Sequence, residues 1–509
     1  MKKLSFLVLV LVFSLLWIAC PDGDSESTGN FWAQNYITKE FYRISAQKLA
    51  ENSRCEVWVE DGSGVTEAQA KRIADEYEKK IYVKMMNTFG YTINDKDLGK
   101  VNTMEIAHYI ATGKTTDAKL TILLLDIQDG FKDIKKDPFV GGYFASRDLY
   151  KNEDLKNAGY DNIKSNEREM IYVDTYPSDP ASQTSYETLA HEMQHLMNFV
   201  STIVFRNDGK KTSPMETWCD EGLAGAAQWV YSGKISEERL DHYNKDYSGL
   251  IKKGNNFYVW DNHGKESNLA NLDDYATVYL FFQYLRLQSA DPEEIYFDII
   301  SSKYPDYRAV TAAKNINSNH KDNWPLLLRD WHAANYIKST SGLYGYKNDP
   351  KLQTVNAPML GNVTSVNLFP GEGVYSKISS TETLPSSSGN ISYAGLSSSG
   401  NPVTSGSASG ARLTYNIDTN LKGSSATGST TGVAANTGIS ITDSRGSLQI
   451  DLDKFSFPFQ VDAGYFLRRN GGMPDNQINY VFNNSRSINK DNKIIKFDTS
   501  TVERVYINE

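Results

Sequence analysis

The sequence predicts an α+β chain: a mixed sheet-and-helix region over residues 52–341, then a β-rich, β-sandwich-like domain over 342–509. Three observations carry that expectation. From Asn52 onward, segments of strand-like alternation and helical periodicity follow one another. Composition then shifts, so that between Gly371 and Ile450 Ser, Thr and Gly supply 41 of 80 residues and charged residues only 8. Hydrophobic residues make up 40% of all 509 positions, enough for two or three cores.

Individual segments fit this division. Cys55-Glu56-Val57-Trp58-Val59 alternates as a strand. Thr66 to Asn87 reads as helix, with Thr66 and Gln69 in the relation of a capping box. Leu120 to Leu125 is an apolar run suited to a buried strand. Past residue 342, stretches such as Leu384 to Asn390 are turn chemistry, while Leu448, Ile450, Leu452, Phe455 and Phe457 alternate as a strand does.

Charge and cysteine content narrow the function. With 53 basic against 62 acidic residues the chain carries −9 and has no basic block, which argues against a nucleic-acid partner. Three cysteines exclude a disulfide scaffold and a four-cysteine metal cage. Metal chemistry must therefore come from the seven histidines and from carboxylates.

The N-terminus predicts export. Met1-Lys2-Lys3 precedes an apolar run from Leu4 to Ala19, short for a bilayer span and not followed by a basic patch. Leu16-Trp17-Ile18-Ala19-Cys20 resembles a bacterial lipoprotein signal, with Trp17 where Leu is commoner. Residues 1–19 are then a signal peptide, Cys20 the lipidation site, and 20–51 a polar tether holding the protein at the cell envelope or outer membrane surface. Cys55 and Cys219 are left as one disulfide or two buried thiols.

One pentapeptide carries the chemistry. His191-Glu192-Met193-Gln194-His195 is H-E-x-x-H, which on a helix puts both imidazoles on one face, one turn apart, where they converge on one ion. Thr184 and Glu187 stand as a capping box for that helix, and Leu189, Met193, Leu196, Val200 and Ile203 form its apolar stripe. A catalytic zinc site needs a third ligand and an open position. A second helix, read as starting in Ser213-Pro214-Met215-Glu216, carries Asp220-Glu221-Gly222-Leu223-Ala224. Glu221 is the third-ligand candidate, its small neighbours expected to let this helix approach the first.

H-E-x-x-H followed by a helix with a D/N-E-G-[LF]-A segment resembles the glutamate-type zincin metallopeptidases, most nearly the bacterial neutral metallopeptidases of the hyicolysin type. Gly141 to Phe144 and Ser165 to Val173 precede the motif, and Tyr275 to Phe282 follow it, as such segments do there; the likeness covers roughly 55–335. It departs at Asp220, where Asn is common, and in the Ser/Gly-rich tail. The resemblance implies a zincin-like domain: a mixed sheet, the H-E-x-x-H helix and a mainly helical second lobe. It implies one zinc ion on His191, His195 and Glu221, peptide hydrolysis with Glu192 as general base, and an endopeptidase action on protein or peptide substrates. By the same resemblance Tyr275, with Tyr279 behind it, stabilises the oxyanion, and Gly142 and Tyr143 lie on the strand that receives the substrate. Asp220 and Asn198 are candidates for orienting the ligands from behind.

Other features read as ordinary. His332 is expected to be packed; His242, His263 and His320 to be solvated; Asp126, Asp129 and Asp133 to form an acidic turn lacking EF-hand spacing. Glu105/His108 with Glu192/His195 gives two E-x-x-H pairs, the di-iron bundle pattern, but the flanks supply no bridging glutamates. The competing function is a surface binding or adhesin lipoprotein whose zinc site is structural or inactive.

Overall fold

The computed structural model describes residues 27–90, 119–132, 139–157, 159–206, 213–254, 257–260, 270–292, 294–361, 363–398, 400–422 and 425–429. It also describes short strands at 461–462, 466–467, 486–488 and 494–496. The signal peptide and Cys20, Glu105 and His108, Asp133, His263 and the alternating segment 448–457 lie outside these residues.

The main sheet is built from β1 (Thr28–Gln34), β2 (Phe41–Glu51), β3 (Cys55–Glu60), β4 (Leu120–Leu125), β6 (Gly142–Ala145) and β7 (Met170–Asp174), in the order β1-β2-β3-β4-β7-β6; the two-residue β5 (Phe139–Val140) precedes β6. β3, β4 and β7 run parallel, while β1, β2 and β6 are antiparallel to their neighbours. Period-two alternation divides β4 between two cores. Ile122 and Leu124 join the helical side; Leu123 and Leu125 pack with Phe31, Ile44, Trp58 and Tyr172 on the opposite face.

Residues 28–51, expected within the polar tether, instead supply the first two strands. Phe31, Ala33, Ile44 and Ala46 alternate inward and bury, and that burial outweighs the polar residues between them.

On the helical side, α1 (Glu67–Glu76) starts in the expected capping box of Thr66 and Gln69 and runs through a π-turn, Tyr77–Ile81, into α2 (Tyr82–Phe89). The long α3 (Gln183–Phe205) carries the H-E-x-x-H motif. Its cap is Ser182, whose hydroxyl accepts the Ser185 N–H, rather than the expected Thr184–Glu187 pair. Leu189, Met193 and Val200 of its apolar stripe enter the central core.

Helix α4 (Thr217–Ser232) starts after Glu216, later than the Ser213-Pro214 signal suggested. It is followed by α5 (Glu237–Lys245), α6 (Ala270–Gln288) and α7 (Trp324–Ile337). Beyond them a four-stranded sheet of β8 (Met359–Leu360), β9 (Gly373–Lys377), β10 (Ile391–Leu396) and β11 (Ala411–Asn416) forms in the order β10-β11-β9-β8. Val461–Asp462 pairs antiparallel with Ala145 and Phe144, and Phe466–Leu467 with Val140 and Phe139. The whole is the α+β, zincin-like arrangement expected, with further β-sheet after it. Cys55 and Cys219 are both buried and unpaired.

Candidate metal centre

His191 and His195, one turn apart on α3, place their Nε2 atoms 3.0 Å from each other. From α4, Glu221 brings Oε2 to 3.4 Å from His191 Nε2 and 3.6 Å from His195 Nε2. Among the described residues this is the one group of three His, Cys, Asp or Glu side chains whose ligand atoms gather closely enough for a metal ion. All three side chains are buried, and Glu221 Oε2 accepts no hydrogen bond. A buried carboxylate oxygen without a donor, aimed between two imidazole nitrogens, is the donor set a divalent cation satisfies.

The protonation directions agree. Burial, helped by the charges of His195 and Arg239, pushes His191 down to about 4. Burial raises Glu221, but the charge of His195 and the contacts from both histidines outweigh it and hold the carboxyl below its usual range. A neutral imidazole and an ionised carboxylate are the ligand forms a metal takes.

Helix α4 meets its neighbours through two different faces. Glu221 turns to the histidines of α3, while Gly222 and Gly225, expected to admit α3, sit against α6. A Cβ on Gly222 would lie 2.1 Å from Phe282 Cε2, and one on Gly225 3.3 Å from Tyr279 Cδ2. The cause is the 100° step between residues 221 and 222, which sends neighbouring positions to adjacent helices.

Glu192 points to the sheet. Its Oε2 accepts the backbone N–H of Phe144 at 2.9 Å. Strand β6 comes close because Gly142 has no side chain: a Cβ there would meet Tyr172 O at 2.7 Å and Thr188 Cγ2 at 2.9 Å. Tyr143 is buried, its ring stacked on Tyr172 at 4.0 Å.

Tyr275 lies on the first turns of α6, and its hydroxyl donates to Glu221 Oε1 at 3.1 Å. Its ring is covered by the Arg239 guanidinium at 4.7 Å and by Trp260, edge-on, at 5.0 Å. Tyr279 is engaged elsewhere: its oxygen accepts the Ser236 N–H at 2.9 Å, at the start of α5.

Behind the ligands, His195 Nδ1 lies 3.2 Å from Asp220 Oδ1, and Asn198 Nδ2 donates to the same oxygen at 2.5 Å. The other described histidines, His242, His320 and His332, are bound into the fold. His332 is packed as expected, between Trp331, Tyr375 and Tyr415. His242 and His320, expected to be solvated, are buried and paired with Asp273 at 2.7 Å and Asp330 at 3.0 Å. Their carboxylate partners are distant in sequence, so local polarity misled. Asp129 is likewise structural, accepting the N–H groups of Phe131 and Val140.

Sequence reasoning missed the Phe144 amide, Arg239, Trp260 and Arg206. Only Arg206 had a readable signal: His191, His195, Asn198, Thr202 and Arg206 form a polar stripe at spacings of 4, 3, 4 and 4.

A mixed sheet, a helix bearing H-E-x-x-H and a second helix delivering a glutamate to both imidazoles resemble the arrangement of the glutamate-type zincin metallopeptidases. No family model matches the chain. It is similar to neutral metalloprotease ShpI of Staphylococcus hyicus, 29% identical over 333 residues, a match covering 64% of this chain and 66% of that protein.

Proposed function

We propose that this chain is an exported zinc metallopeptidase of endopeptidase type, lipid-anchored at Cys20, acting on proteins or peptides at the cell envelope. The observation that carries the reading is the convergence of His191, His195 and Glu221 beside a glutamate that follows the first histidine. The likeness to a neutral metalloprotease supports it.

A zinc ion on those three side chains supplies Lewis-acid polarisation of the scissile carbonyl and lowers the pKa of the attacking water. Glu192, one residue beyond a ligand, takes the water's proton at its carboxylate and hands it to the departing amine. The Tyr275 hydroxyl, now on Glu221, donates instead to the oxyanion as charge develops there. Asp220, with Asn198 behind it, holds the His195 ring in orientation. The main chain of Gly142 and Tyr143 pairs with an extended peptide, Tyr143 contributing through its backbone because its ring is buried. A peptide on that edge competes with Val461–Asp462, which pairs with Ala145 and Phe144.

The test measures zinc content and casein hydrolysis for the wild type and for Glu192→Ala. One zinc in each, with hydrolysis only by the wild type, is expected. One zinc in each with no hydrolysis by either defeats the peptidase reading in favour of a binding lipoprotein with a structural site. Cys20→Ser should move the protein out of the membrane fraction; unchanged fractionation rejects the anchor.

A further inference from the structure

We propose that Arg206 is a positioning residue for the metal centre: it sets the polarity of the Asn198–Asp220 hydrogen bond, whose acceptor oxygen faces His195. The inference rests on the zinc reading above and extends it to a residue remote from the ligands.

Arg206 closes α3 and is almost wholly buried. Its Nη2 donates to Asn198 Oδ1 at 2.9 Å, Ser201 Oγ at 2.6 Å, Thr202 Oγ1 at 3.1 Å and the Asn198 carbonyl at 3.3 Å. Its Nη1 donates to the carbonyls of Ile300 at 2.9 Å and Ser302 at 3.2 Å.

A guanidinium has donors and no acceptor, so the end of the Asn198 amide that faces it must be the oxygen. The amide nitrogen is then turned to Asp220, where it donates to Oδ1. An amide held in the opposite sense would set its oxygen against a carboxylate oxygen. Asp220 is thereby kept as an acceptor facing His195 Nδ1 at 3.2 Å. An acceptor at that distance favours the imidazole proton on Nδ1, which would leave the Nε2 lone pair for the ion. A residue three helical turns below the ligand thus selects the tautomer that binds metal.

The polarity argument yields a test that a merely structural arginine would not pass. Zinc affinity is measured by chelator competition, alongside the melting temperature of the metal-free protein. Arg206→Met and Asn198→Leu should each weaken zinc binding about 10–100-fold, the range found for groups that orient a ligand from behind. The double substitution should weaken it no more than the worse single one, because both act through that one hydrogen bond.

Asn198→Asp should do the same while Arg206 is present, since a carboxylate satisfies the guanidinium but cannot donate to Asp220. This variant keeps the anchor on Arg206 and covers the case in which Arg206→Met does not fold. Zinc affinity within twofold of wild type in Asn198→Asp, or penalties that multiply in the double variant, overturns the proposal. If the wild type itself binds no zinc, the metal reading fails, and this inference with it.

Discussion

The carboxylate of Glu192 accepts the backbone N–H of Phe144, and that bond joins the residue between the two histidines to strand β6. The group read as the proton carrier is therefore held by the same strand that is read as receiving the peptide. Glu192→Gln keeps an acceptor for Phe144 and leaves His191, His195 and Glu221 untouched. Zinc content should stay at one ion while kcat falls about 10²–10⁴-fold. A kcat within tenfold of wild type would assign the proton transfer to another group.

Glu221 is the proposed third ligand, which spacing alone could not decide. Glu221→Gln removes the anionic donor from between the imidazoles and should weaken zinc binding by more than the 10–100-fold expected for a group behind the ligands. Titration with a zinc-competing chelator reads the change directly. Wild-type affinity in this variant would mean that the third ligand lies elsewhere.

Tyr275→Phe deletes one hydroxyl and keeps the ring beneath Arg239 and Trp260. Loss of an oxyanion donor costs about 10²–10³ in kcat. Steady-state kinetics should show that fall with KM unchanged. A rise in KM at constant kcat would make Tyr275 a substrate contact instead.

Gly222→Ala should destabilise the fold by about 1–3 kcal/mol, because the new methyl would lie against the buried Phe282 ring and one helix or the other must move. Urea denaturation of the metal-free protein measures it. A loss below a few tenths of a kcal/mol would show that the ring shifts at little cost.

Asp174, at the end of β7, gives a pH signature. Burial, with the nearby charge of Asp129, pushes its carboxyl up to about 8, and Oδ2 is buried without a hydrogen bond. A raised folded-state value means that the group's stabilising contribution is complete below pH about 3.8 and is lost as the pH rises through about 8. Asp174→Asn does not titrate, so its melting temperature should gain on the wild type from pH about 4 to about 8 and level off above that. A constant difference across that range would contradict the assignment.

Part of the site is legible in the sequence itself. The H-E-x-x-H helix follows from residues one turn apart, where helical spacing leaves little freedom; Glu221 and Asp220 lie on a second helix, so the sequence offers them as candidates but does not dictate their approach. What escaped depends on elements distant in sequence. Residues 28–51 looked like a tether because their inward positions are interleaved with polar ones, and only a partner strand reveals that Phe31 and Ile44 are core. Glycines 222 and 225 signalled a close helix approach correctly but named the wrong helix, since their packing against Phe282 and Tyr279 is a tertiary choice. The Phe144 amide carries no side-chain signature at all, so no motif could have found it.

The two cysteines of the described fold are sealed in its core as free thiols. Burial pushes both well above the ordinary thiol range, so neither offers a thiolate for oxidation. The described fold therefore carries no covalent brace for a reducing agent to cut. A dithiol that silences this protein would be reporting the capture of its metal, and restoring zinc, without any reoxidation step, would bring it back.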